Sequence, residues 1–376
     1  MGMQPDGREL LLVVVKGTFS FPKQGEEPVL AELQVPPIEA DVFTGEPGFS
    51  APVYESDYAP MKPRCDVILN GSAYAPGGNP TRRVAVSLGL GPVRKQFDVV
   101  GNRFWQSDLL GLMMTQAQHF TVMPISYDNA FGGVDDLNPD PEKHDAYLSN
   151  PVGKGFYPIS KANKIDGKPA PTTEESGNPI TSPTGSYRSM SFGPVGRAWH
   201  PRPKYAGTYD QDWIDNIFPF LPSDFDDRYY QCAPEEQQTG YLRGGEELEL
   251  INLTPEGYVR FKLPTVEVPV TFYLKNHDET EIAAVCDTLV IEPDLKRFTM
   301  LWRASLPLRR NMFEVAQIVT GRMPRGWYRA RELGKTYYGS LRELVDARRS
   351  EHEGAEGEVG EVDSHTAEPS VSELSA

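Results

Sequence analysis

The chain has 376 residues, of which 39% are hydrophobic, enough for one large or two ordinary soluble domains. Its 34 glycines and 34 prolines favour strands and turns over long helices, and its net charge of −16 argues against general binding to nucleic acid or an anionic membrane, which reward clustered lysine and arginine. Three scattered cysteines, Cys65, Cys232 and Cys286, form neither a disulfide framework nor a paired metal spacing and suit buried thiols in a reducing compartment.

In chain order, the first element is the apolar, β-branched run Leu10–Val15, followed by Thr18, Phe19 and Phe21. It predicts a strand buried on both faces. The start lacks a basic stretch and cleavage region, and the run is too short to span a bilayer, so a cytoplasmic protein is expected. Val29 to Val35 is a candidate hairpin partner, 36–63 reads as Pro-rich loop, and alternation resumes from Cys65 to Tyr74. The clearest early pair is Thr81–Leu90 with Val93–Trp105, joined by the turn Gly89-Leu-Gly-Pro92.

From about 129 to 205 glycine, proline, asparagine and serine recur, and 161–189 is nearly free of large apolar residues. That composition predicts disorder or a long surface excursion. After Gly240 the period-two pattern returns through Leu248, Leu250, Val259, Phe261, the run Val266–Leu274, Ile282–Ile291 and Phe298–Leu306. Together these predict one antiparallel sheet with a wet face. Met312–Val319 reads as a short helix or strand, and Lys335–Arg349 as an amphipathic helix through Tyr337, Tyr338, Leu341, Leu344 and Val345. Eight acids and no lysine or arginine mark 351–376 as a disordered tail, and setting them aside leaves the body mildly acidic. The expected architecture is mainly β, an antiparallel sandwich-like domain over 1–349 with long irregular loops and a short C-terminal helix, then the tail 350–376. Two subdomains within the body would meet near Trp213.

The segment 206–238 is the densest in information. Trp213, Phe218, Phe220, Phe225, Tyr229 and Tyr230 bring more apolar area than a solvated loop would carry, while Pro219 and Pro222 forbid a long helix. An irregular segment pinned to a core by its rings is expected. Its carboxylates Asp210, Asp212, Asp215, Asp224, Asp226 and Asp227 suggest a glycosidase, with rings stacking on a sugar. The competing reading is that short aspartates cap turns and pair with Arg228, and it is preferred. Those acids also lack the glycine and distal glutamate of a calcium loop. The six histidines form no metal-ligand spacing, and neither a nucleophile elbow nor a dinucleotide loop is present. No catalytic residue, cofactor or metal is expected.

Several blocks are specific enough to carry a resemblance: Asp57-Tyr-Ala-Pro-Met-Lys-Pro-Arg-Cys-Asp66, Tyr127-Asp-Asn-Ala-Phe-Gly-Gly133, Asn150-Pro-Val-Gly-Lys-Gly-Phe156, Phe192-Gly-Pro194, and Ala206 to Gln237 around Trp213. Up to about Leu306 the chain resembles the bacterial family catalogued as domain of unknown function 2169 (DUF2169). The resemblance implies a non-catalytic cytoplasmic adaptor that binds a toxic effector and helps load it onto a type VI secretion spike. Effector and spike are then the partners, with Trp213, Phe218, Asp224, Phe225, Asp226, Arg228, Phe131 and Phe156 as candidate contacts. The alternatives are a carbohydrate-active hydrolase built on 206–238 and a structural component of the spike.

Overall fold

Alternation sets the early strands. In the computed structural model β1 spans Glu9–Ser20, β2 Cys65–Leu69, β3 Arg83–Leu90 and β4 Val93–Val100. Along β3, Val84, Val86 and Leu88 are buried while Arg83 and Ala85 face outward. The β3–β4 hairpin closes at Leu90↔Val93, where Gly91 takes φ 53°, a conformation open to glycine at little cost. A smaller hairpin follows, β5 (Trp105–Asp108) and β6 (Gly111–Met114), then the helix α1 (Ala162–Ile165) and the six-residue helix α2 (Gln211–Asn216). The later strands are β7 (Glu247–Ile251), β8 (Tyr258–Lys262), β9 (Pro269–Leu274), β10 (Glu279–Ala283), β11 (Val285–Glu292), β12 (Arg297–Pro307) and β13 (Val315–Thr320). The structure describes residues 7–347 except 24 and 110, together with residue 349 and the backbone of 2–3. The predicted tail lies outside the described residues.

The strands form several antiparallel sheets. A seven-stranded sheet runs in the order Gly2–Met3, β1, β12, β11, β2, Gln238–Thr239, with Val29–Leu30 added to β1. Within it β11 and β2 are parallel. A five-stranded sheet runs Thr173–Glu174, β4, β3, β7, β8, and a three-stranded sheet β10, β9, β13. Phe19, Val67 and Met300 from the first sheet and Val86, Phe97 and Leu250 from the second belong to one hydrophobic cluster, so the two sheets pack as layers over a common core. The protein is mainly β, as the alternation predicts.

Three expectations change. The strands after Gly240 do not make one sheet: β7–β8 join the five-stranded sheet, β9–β10 the three-stranded one and β11–β12 the seven-stranded one. β1 is only half-buried over most of its length. The segment 161–189 is not a loose excursion: Ile165 and Ile180 are buried and Thr173–Glu174 pairs with β4. The short helix or strand expected at Met312–Val319 is present as both, a 3₁₀ turn at Met312–Glu314 leading into β13.

The chain divides into two compact units, Met1–Thr320 and Gly321–Ala376. The second holds α3 (Arg325–Glu332), which the pattern of apolar residues did not announce, and a helical stretch at 341–347 inside the predicted 335–349. No helix among the described residues is long and apolar enough to cross a membrane.

Two of the glycine-rich blocks interlock. Phe131↔Lys154 and Gly132↔Gly155 pair in parallel, and fully buried Asn150 donates from Nδ2 to the carbonyls of Tyr127 (2.9 Å) and Phe131 (3.1 Å). A Cβ on Gly132, at φ 150°, would stand 2.1 Å from the Asn150 carbonyl oxygen. Gly132→Ala is therefore expected to destabilise by well over about 1 kcal/mol, read as a lower urea midpoint. An unchanged midpoint would show that the block yields without cost.

Candidate functional site

Two places collect the residues singled out by sequence. The first is exposed. Asp210 caps α2 by accepting from the Trp213 N–H at 3.0 Å, and the short helix ends before Phe218. The Trp213 ring meets Tyr209 edge-on at 4.8 Å and Phe218 at 5.5 Å, and its Nε1–H donates to the Phe220 carbonyl at 2.9 Å. These rings pack on one another rather than on a core. Nothing from 206 to 221 is buried, with Tyr209 53%, Ile214 55% and Phe218 65% exposed. The expected pinning of this stretch to a core is thus corrected, and the physical reason is that the cap and the contacts among Tyr209, Trp213 and Phe218 are local.

Asp224 closes the loop, accepting from Thr208 N (2.9 Å) and Oγ1 (2.7 Å), and these bonds hold its carboxyl below the usual range. Asp226 accepts from the N–H and Nε of Arg228, both at 2.9 Å, and the Arg228 hydrogen bond lowers its carboxyl likewise. Arg228 also lies 4.4 Å over the Tyr205 ring. Phe225 is half-buried against Tyr229 (5.8 Å) and Tyr230 (5.5 Å). The next carboxyl, Asp227, is raised by desolvation and by the charge of Asp226. Arg202, itself buried, fastens the end of the segment by donating to the Tyr229 carbonyl (Nη2, 2.7 Å) and to Glu55. The structure therefore brings Trp213 with Phe218 and Asp226 with Arg228, sets Phe225 against Tyr229 and Tyr230, and ties the loop shut through Asp224. Phe131 is placed elsewhere. It is fully buried, ringed by Tyr147, Tyr187 and Phe156, and so presents nothing to a partner; the half-buried Phe156 packs on the same cluster. The physical cause is that their glycine-rich loops fold inward around Asn150.

The second place is buried: Lys62, Asp66 and Gln231–Ala233 lie in the blocks that carry the resemblance, and nothing in the sequence joins them to one another or to Asp287 and Arg303. Asp66 on β2 is wholly enclosed. It accepts from Lys62 Nζ (2.8 Å), Gln231 Nε2 (2.6 Å) and the N–H groups of Cys232 (2.9 Å) and Ala233 (3.2 Å). Lys62 also donates to Thr288 Oγ1 at 3.1 Å, and Thr288 to Asp287, which takes Arg303 Nε at 2.6 Å. Arg303 in turn donates to the carbonyls of Asp57 (2.7 Å) and Ala59, and Asp57 pairs with Lys16 at 2.7 Å. Burial alone would push the Lys62 ammonium down, but the charge of Asp66, helped by that of Asp287, holds its pKa above the ordinary value. Burial, then Asp66, raises the Cys232 thiol well above the usual range, so it is a poor nucleophile. The cavity beside this network is about 40 Å³. One water needs about 10–15 Å³, so the space suits a few waters and is too small for a metabolite. The signal available in sequence was a charge inside an apolar strand, Asp66 in Cys65–Leu69 and Asp287 in Val285–Glu292. Among the described residues no group of three or more His, Cys, Asp or Glu is placed to hold a metal.

The converging segments Asp57–Asp66, Gln231–Ala233, Asp287 and Arg303 all fall inside a single family match. Residues 6–303 fit the model of a family described as an uncharacterized protein conserved in bacteria (DUF2169). The chain belongs to this family. The matched span ends at Arg303, whose guanidinium closes the network around Asp287. It also contains the whole ring segment 206–238 and the Gly132–Asn150 interlock. Comparison with curated proteins and with solved structures gave no match.

Proposed function

We propose that this protein is a non-catalytic adaptor that captures a partner protein on the ring segment 206–225, the partner being a toxic effector on its way to a type VI secretion spike. The partner class follows from the family resemblance. The surface follows from one observation: Tyr209, Ile214 and Phe218 stand exposed on a backbone fixed by the Asp210 cap, the Trp213–Phe220 bond and the Asp224–Thr208 clasp. Exposed aromatic side chains on a fixed frame lose little entropy on binding and make strong anchors. Asp210, Asp212 and Asp215 beside them favour a partner with a basic rim. Such an adaptor works in the cytoplasm and stays in the producing cell.

A pull-down of the tagged protein from its native cells, read by mass spectrometry, tests this. The expected result is a toxin and a spike protein in comparable amounts, with at least a tenfold loss of both in Tyr209→Ser/Phe218→Ser and an unchanged thermal midpoint. Recovery of neither, or full recovery by the variant, overturns the reading.

A second reading, a carbohydrate-active hydrolase, is favoured by the opposite pKa directions of the adjacent carboxyls Asp226 and Asp227. It requires sugar release from a polysaccharide panel that Asp226→Asn/Asp227→Asn abolishes. No release by the parent chain removes it.

A further inference from the structure

The hairpin β5–β6 forms a sheet of its own, so β6 has an open edge. Trp105 is opposite Met114 and Ser107 opposite Leu112. The N–H of Trp105 donates away from the hairpin to the Lys168 carbonyl at 2.9 Å, and that of Ser107 to Asp166 Oδ1 at 2.7 Å. These are therefore the non-hydrogen-bonded pairs of the ladder, and the N–H and C=O groups of Leu112 and Met114 point to the open edge. Among the described residues those groups have no hydrogen-bond partner.

Along that edge runs a cleft of about 480 Å³, lined by the four consecutive residues Leu112–Thr115 and by Pro179–Thr181. Consecutive residues belong to both faces of a strand, so the cleft follows the edge rather than a face. A second cleft of about 360 Å³ shares Leu112 and Thr181 and extends it. Arg82, Arg83 and Arg103 gather in the first cleft, and among the described residues no acid lines either one. Arg83 and Arg103 bind buried Glu174, and Arg83 also binds Asp98. Arg82 is exposed with no side-chain partner among the described residues, and Arg103, nine-tenths buried, has an unpartnered Nε. Three guanidiniums against two carboxylates leave one positive charge, on a chain whose net charge is −16. That balance selects a monoanion.

We propose that this groove takes the C-terminal segment of a partner polypeptide as an added strand on β6. Its terminal carboxylate is held by Arg82 beside Arg83 and Arg103, and its last apolar side chain rests against Val100, Met113 and Ile180. The arginines lie in the cleft that takes in Met113–Thr115, while the other cleft reaches only Leu112, so the added strand runs parallel to β6. Two joined clefts and a row of unmet backbone groups fit an extended chain; a compact carboxylate would fill one cleft and leave the edge open. The proposal rests on the reading that the protein holds a partner, and adds which part of that partner is recognised.

The test uses the full chain and fluorescein-labelled six-residue peptides ending in Val, Leu or Phe, each as free acid and as amide, followed by anisotropy. Free acids are expected to bind, with amidation or Arg82→Glu weakening them about tenfold or more. The amide resonances of Leu112 and Met114 are expected to shift on titration. Equal binding of acid and amide, no binding at all, an inert Arg82→Glu, or competition by hexanoate as strong as by peptide would each overturn the proposal. Arg82 is remote in sequence from the ring segment. A parent chain that captures the toxin but binds none of the peptides sinks only this inference; a parent chain that binds the free-acid peptides but recovers no toxin from its native cells sinks only the adaptor reading.

Discussion

Lys62→Met is expected to lower the unfolding free energy by about 3–5 kcal/mol, because it strands an ionised Asp66 in the interior. Lys62 is 5% exposed and Asp66 fully enclosed, so water cannot take over the role of the ammonium. Gln231, Cys232 and Ala233 would still donate to the carboxylate, which places the loss below that of a bare buried charge. Against a typical stability of about 5–15 kcal/mol, it is still a large share. Lys62→Met/Asp66→Asn removes the stranded charge and is expected to recover part of the loss, although the new amide turns one N–H toward backbone donors. Urea unfolding of the parent, both single variants and the double variant gives the coupling, expected to exceed about 1 kcal/mol. A Lys62→Met midpoint equal to the parent's would mean that the pair does not hold the blocks 57–66 and 231–233 together.

That network also shows where the sequence was readable. Val84, Val86 and Leu88 alternate, and β3 forms where they lie; Phe298, Met300 and Trp302 do the same for β12. Alternation tells which side chains share a face, but it does not name the neighbouring strand. Nothing local to Cys65–Leu69 says that it pairs in parallel with Val285–Glu292, so the division of the later strands among three sheets stayed hidden. Aromatic content misled at Trp213. Its rings satisfy one another at the surface, and a count of rings cannot distinguish that from a core. Asp66 and Glu174 were missed for a related reason, since buried charges depend on partners far away in the chain, here Gln231 and Arg83.

Glu174 gives the second large effect. Composition alone marks 161–189 as too polar to fold, yet Glu174 is wholly buried there, accepting from Arg83, from Arg103 Nη2 at 2.7 Å and from the Ile180 N–H at 3.2 Å. Its strand partner is Asp98 on β4. One carboxylate thus fixes the segment to the five-stranded sheet, with Ile165 and Ile180 filling the space behind it. Glu174→Leu leaves Arg103 buried without its counter-charge and the Ile180 N–H without its acceptor, an expected loss of about 3–5 kcal/mol. Arg83 keeps Asp98 and contributes less, being half exposed. Glu174→Gln retains an acceptor for Ile180 and is expected to fall between the parent and Glu174→Leu. Native-state hydrogen exchange separates this from a general weakening. Protection should drop first across 161–190 and the end of β4, while β1, β11 and β12 exchange as in the parent. Uniform loss across both sheets would instead make Glu174 part of the common core. An unchanged pattern at 161–190 would leave the order of that segment to Ile165 and Ile180 alone.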